Sequence, residues 1–96
     1  MTDLVTASPG QEFTIELEGV PTSGYRWEPV LPEDERRIAL LDESVEPGGP
    51  GLGGKAMQRF RFAAREVGEL ELGFVYRRPL GDAEPLEERA FRVVVR

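Results

Sequence analysis

The 96-residue sequence contains no cysteine and no histidine. These absences exclude disulfides, Cys/His zinc sites, a Cys–His nucleophile pair and a Ser–His–Asp triad. No metal site and no cofactor are expected. Basic residues are few: 12 Lys and Arg stand against 18 Asp and Glu, for a net charge of -6. Nucleic acid is thereby disfavoured as a ligand, because binding it takes clustered Lys and Arg. An anionic membrane surface is disfavoured for the same reason. No apolar run approaches the ~20 residues of a membrane-spanning helix. The opening stretch, MTDLVTASPG, has neither a basic segment nor an apolar one, so it does not read as a signal peptide. The expected location is cytoplasmic as the sequence stands, and secreted or periplasmic if a leader has been trimmed away. Helical spacing is nearly absent too. PEDERR, from Pro32 to Arg37, has the makings of one helical turn, but a solvated loop is the simpler reading, with Asp34 and Glu35 on an acidic surface.

What is present is a hydrophobic period of two. Phe13, Ile15 and Leu17 alternate with polar residues, as do Tyr25 and Trp27, Phe60 and Phe62, Leu70 to Tyr76, and Phe91 to Val95. Alternation of this kind marks strands with one face on a core and the other in water. Eleven Gly and eight Pro keep the elements short. Strands are expected near Leu4–Ala7, Glu12–Leu17, Tyr25–Val30, Ile38–Leu41, Ala56–Ala63, Glu69–Arg77 and Arg89–Arg96. Seven or eight short strands in about 100 residues fit an all-β, immunoglobulin-like β-sandwich. At this length residues 1–96 are expected to form a single domain. The Cys–Trp–Cys pattern of antibody domains is missing, so the kinship is architectural.

Three connections have unusual residue orders. VPTSGYRW, from Val20 to Trp27, opens on a proline that fixes φ and carries a glycine able to take positive φ. The two aromatics after the turn read as core, which leaves Thr22 and Ser23 at a stiff tip. EPGGPGLGG, from Glu46 to Gly54, holds five Gly and two Pro in nine residues. No Lys-Ser/Thr and no helix follow, which argues against a phosphate loop. Two readings stay open: a flexible hairpin connection, or a backbone that must closely approach another protein's backbone. In YRRPLGDAEPLEE, from Tyr76 to Glu88, an Arg-Pro-apolar tip precedes an acidic, solvated stretch. In an immunoglobulin-like strand order these three connections gather at one end of the sandwich, where antibodies carry their binding loops.

These motifs resemble those of the chagasin-type inhibitors of papain-like cysteine proteases. That family is marked by Asn-Pro-Thr-Thr-Gly-Tyr/Phe-x-Trp, then Gly-x-Gly-Gly, then Arg-Pro-Trp. The sequence matches the first motif at Pro21, Thr22, Gly24, Tyr25 and Trp27, the second at Gly51, Gly53 and Gly54, and the third at Arg78 and Pro79. The motifs fall in family order, and the resemblance covers nearly the whole chain. Three positions depart from the pattern: Val20 replaces Asn, Ser23 replaces Thr, and Leu80 replaces Trp. An Asn could brace its loop through a side-chain amide, which Val cannot.

The resemblance implies a reversible inhibitor, not an enzyme, whose partner is a papain-like cysteine protease and which acts as a monomer. Pro21, Thr22, Ser23 and Gly24 would enter the active-site cleft. Gly51, Leu52, Gly53 and Gly54 would lie along one side by main-chain contact, and Arg78, Pro79 and Leu80 along the other. The alternative is an immunoglobulin-like interaction module that keeps the scaffold and has lost tight inhibition, in keeping with the changes at Val20 and Leu80. An enzyme is disfavoured because no nucleophile–base constellation is visible.

Overall fold

In a computed structural model the described residues of the chain form seven strands in two facing sheets. The described residues are 3–19, 24–32, 35–47, 55–78 and 84–96. The strands are β1 (Asp3–Ala7), β2 (Glu12–Gly19), β3 (Arg26–Val30), β4 (Ile38–Pro47), β5 (Ala56–Ala64), β6 (Gly68–Arg77) and β7 (Glu87–Val95). One sheet has the order β1-β7-β6-β3 and the other β2-β5-β4. All pairings are antiparallel except that of β1 with β7. This is the immunoglobulin-like sandwich expected from the alternation. PEDERR contributes no helix among its described residues.

Alternation sets the core. Ile15 and Leu17 on β2, Phe60 and Phe62 on β5, Leu72 and Phe74 on β6, and Phe91 and Val93 on β7 are all buried. Phe74 lies at the centre, with ring centroids 4.9 Å from Phe60, 6.4 Å from Phe62 and 5.7 Å from Phe91. Tilted and edge-on pairs of this kind suit the quadrupoles of the rings. The outward positions of the three-stranded sheet are charged. Arg61 on β5 is flanked by Glu12 of β2 (2.8 Å) and Asp42 of β4, and Arg59 by Glu16 (3.3 Å) and Glu46. Basic residues on the central strand and acids on both neighbours make the face a ladder of exposed pairs, each worth ~0–1 kcal/mol.

Two expectations are corrected. β4 runs to Pro47 instead of ending near Leu41. A register shift between Leu40 and Asp42 leaves Leu41 as an extra residue. Ile38 and Leu40 pair with Ala64 and Phe62, whereas beyond the shift it is Glu43 and Val45 that pair with Phe60 and Gln58. The inward phase thus changes from even to odd positions, and the simple alternation stops where the strand does not. Glu35, expected on a solvated surface, is the second. Its side chain is only 3% exposed, and Arg37 holds both carboxylate oxygens, with Nε at 2.8 Å and Nη2 at 2.7 Å, while the Arg37 backbone N–H donates a further bond at 2.8 Å. Arg37 also reaches the carbonyl of Glu69 and crosses Gly68, where a Cβ would come within 2.8 Å of the Arg37 Cδ. Gly68, with φ at +151°, therefore leaves room for the arginine that seats Glu35.

The sheets are tied together by one buried amide. Gln58, on the inward face of β5, is 4% exposed. Its Oε1 accepts the backbone N–H of Trp27 at 2.8 Å, and its Nε2 donates to the Trp27 carbonyl at 3.3 Å and to Glu43 at 3.4 Å. β3 ends its sheet and pairs only with β6. Gln58 therefore supplies, from the opposite sheet, the donor and acceptor that a neighbouring strand would have given Trp27. No buried side-chain polar atom lacks a partner among the described residues.

Replacing Gln58 by Met keeps apolar volume but strands the Trp27 N–H and C=O. Each unpaired buried group costs ~1–3 kcal/mol, so Gln58→Met is expected to lose ~2–4 kcal/mol in urea unfolding. A midpoint equal to wild type would show that the amide is not the tie. A second prediction concerns acid. The side-chain hydrogen bonds from Arg37 hold the Glu35 carboxyl below its ordinary value of 4.5. A depressed carboxyl stabilises the fold fully above its unfolded value, and that stability is lost as pH falls through the folded one. Glu35→Gln should destabilise at pH 7 by ~1–3 kcal/mol and show a shallower loss of stability below about pH 4.5 than wild type does. Parallel stability–pH curves for the two proteins would remove Glu35 from the acid response.

Candidate functional site

Six strand termini meet at one end of the sandwich. In the three-stranded sheet Gly19, Ala56 and Pro47 are paired across the row. In the other sheet Arg26 faces Arg77, and Tyr76 faces Glu87. The Trp27 indole N–H donates to the Glu18 carbonyl at 3.0 Å, which fixes both rows at the same end. The connections 20–25, 48–55 and 78–86, which carry the three motifs, all leave from here. Of the candidate residues, Gly24 and Arg78 are described. Pro21, Thr22, Ser23, Gly51, Leu52, Gly53, Gly54, Pro79 and Leu80 lie outside the described residues, as does Val20.

The base of this end is built from aromatic rings. Trp27 is buried, and its ring lies 4.9 Å from that of half-buried Tyr76. Tyr76 in turn lies 5.6 Å from Tyr25. Tyr25 was expected to begin β3 and to face inward. It stands one residue before the strand, half-buried, at the rim of the core. Gly19 sits against Tyr76, where a Cβ would come within 3.3 Å of the ring and push it aside by a few tenths of an ångström. The guanidinium of Arg78 caps the column, 4.9 Å from the Tyr25 centroid. Gly24 has φ at +85°, a left-handed conformation that glycine takes without steric cost. The order Gly-Tyr-x-Trp thus has a physical account: Gly24 turns the chain, Tyr25 stacks at the rim, and Trp27 enters the core.

Polar contacts close the rest of the base. Arg26 pairs with Glu43 across the sheets at 3.5 Å, Lys55 pairs with Glu18 at 3.3 Å, and the Leu86 N–H donates to the Tyr76 carbonyl at 2.9 Å. A hollow of about 250 Å³ lies just below, bordered by Gly24, Tyr25, Val45 and Gln58. A larger, open depression of about 660 Å³ crosses the outer face of the four-stranded sheet at Gly73, away from the motif-bearing end. Gln58, Tyr76 and Glu43 were not singled out from the sequence as supports of this end. The signal was present for Gln58, which shares the inward parity of Ala56, Phe60 and Phe62.

Comparison with known proteins follows the same lines. The family model described as "Chagasin family peptidase inhibitor I42" matches residues 6–95. The fold is similar to that in the crystal structure of the cysteine protease inhibitor EhICP2 from Entamoeba histolytica, with a TM-score of 0.78 and 23% identity over 99% of this chain and 96% of that one. It is also similar to the solution structure of Amebosin, with a TM-score of 0.71 and 26% identity over 97% of this chain and 88% of that one. No curated protein matches significantly. With a family match over nearly its whole length and the family's motifs on connections at one end of the expected sandwich, the chain belongs to the chagasin family of peptidase inhibitors.

Proposed function

We propose that this chain is a reversible inhibitor of papain-like cysteine proteases that blocks the active-site cleft with the three connections at one end of the sandwich. The observation that carries the reading is the convergence of all three motif-bearing connections on that end. Membership of a peptidase-inhibitor family supports it, as does the similarity to a protein named as a cysteine protease inhibitor. In this mechanism the segment Pro21–Gly24 enters the cleft beside the catalytic cysteine and histidine. The glycine backbone of Gly51–Gly54 lies along one wall, and the third connection, through Pro79 and Leu80, along the other. No peptide bond need be offered for cleavage, so the block is occlusion. The inhibitor acts as a monomer, over an interface of standard size, ~1,600 Å² in total. Roots held by packed aromatics reduce the ordering entropy lost on binding.

The direct test is titration of papain, with a cysteine protease of unrelated fold as control. Inhibition of papain alone is expected. No inhibition well above micromolar concentrations would favour the interaction module instead. Thr22→Arg is expected to raise the papain inhibition constant by at least ~30-fold, as loss of a central anchor does, with the melting temperature little changed. Equal constants would take the first connection out of the mechanism. Leu80→Trp restores the aromatic of the family pattern and is expected to tighten binding by ~1–2 kcal/mol. The gain should lie in slower dissociation, because the added contact forms after encounter. An unchanged dissociation rate from immobilised papain would mean that the third connection meets no pocket there.

A further inference from the structure

Arg78 reached the candidate site as one of the residues laid against the protease. Its surroundings point to another part. The chain carries an excess of acids, and the neighbouring Arg77 takes one of them, Glu28, at 3.1 Å. Arg78 forms no ion pair among the described residues. Its guanidinium instead lies over the Tyr25 ring at 4.9 Å, within the ~6 Å reach of a cation–π contact. Its Nε lies 3.7 Å from where a Cβ at Gly24 would stand. Glycine is favoured at position 24 by its φ of +85°, and the arginine packs at ordinary contact distance over that turn.

We infer that Arg78 is a positioning residue for inhibition: through Tyr25 it holds the root of the first connection in its binding-ready form, and it does not touch the protease. Gly24 and Tyr25 belong to one motif and Arg78 to another some fifty residues on, yet the three form one contact unit. Tyr25 is packed between Arg78 on one side and Tyr76 on the other, and Tyr76 leads on to Trp27 in the core. The third connection thus steadies the first at its root. A guanidinium spread on an aromatic ring is a planar contact that a lysine reproduces in part and an alanine not at all.

The consequence for inhibition rests on the function proposed above, so the test includes a measurement without protease. In the free, full-length chain, Arg78→Ala should speed amide hydrogen exchange at Ser23, Gly24 and Tyr25 relative to wild type. Against papain the same substitution should weaken inhibition roughly two- to fivefold, the scale of an exposed cation–π contact. Arg78→Lys should recover part of both losses. The decisive step is a double-mutant cycle with Tyr25. In a Tyr25→Leu background, Arg78→Ala should change neither exchange nor inhibition further, while in Tyr25→Phe, which keeps a ring, its effect should persist. Melting temperatures would establish that the Tyr25 variants are folded. An equal loss of inhibition on Arg78→Ala with and without the ring would mean that Arg78 meets the protease directly, and would overturn the inference. So would unchanged exchange in Arg78→Ala, even if wild type failed to inhibit papain and the proposed function fell on its own.

Discussion

The pairing of the Gln58 side chain with the Trp27 backbone is the constraint on which the motif-bearing end depends. β3 is the terminal strand of its sheet, and a terminal strand leaves alternate backbone groups without ladder partners. Over Trp27 that edge is turned toward the other sheet and buried, where water does not reach it. A neutral amide with one acceptor and two donors meets the need without burying a charge. It also fixes the two sheets relative to each other at one point, one residue inside the end from which the motif-bearing connections leave. From there the Trp27 indole reaches Glu18 and the ring column runs out to Arg78. The order of dependence is amide, indole, tyrosines, arginine, from the core to the rim.

The two ends of the sandwich are built differently. The far end is closed by short, well-bonded turns. At Ser8–Gln11 the Gln11 N–H bonds back to Ser8 at 2.9 Å, and Gly10, with φ at +92°, follows Pro9 as a type II turn requires. The Arg65 N–H donates to Arg37 at 2.7 Å beside the seated Glu35. At the near end the described residues order the roots: the Trp27 indole bonds to the Glu18 carbonyl and the Leu86 N–H to the Tyr76 carbonyl. That division suits an inhibitor. A frame pinned by the far turns and the central amide holds the roots of the three connections in place, and loops carried on a rigid scaffold are where binding residues tend to lie.

Much of the frame was legible because its strands have one dry face and one wet face, and seven such runs in 96 residues leave few architectures. What escaped did so for identifiable reasons. The second half of β4 carries Asp42, Glu43 and Glu46, and the extra Leu41 shifts its phase, so neither composition nor period marks it as strand. Seating Glu35 under Arg37 depends on the path of Gly68, more than thirty residues away, which no local pattern records. Tyr25 shares the spacing of Trp27 but lies just outside the strand, where the sheet no longer sets its direction. The site was legible in a different way. Its tip residues were readable only as motifs resembling those of a known family, whereas the reason for their neighbours, Gly24 and Arg78, needed coordinates.

That contrast bears on which residues of the family pattern the frame itself holds. The residues that build the roots of the motif-bearing end, Gly24, Tyr25, Trp27 and Arg78, all match the family pattern, and each has a structural duty in the column or at the turn. The departures, Val20, Ser23 and Leu80, fall on the connections in the sequence. Substitution at a root would move every tip that it supports, because the rings are packed against one another and the Gln58 tie lies directly behind them. Packing therefore couples the roots: Tyr25, Tyr76 and Trp27 form one run of rings, in which a change at one displaces the next.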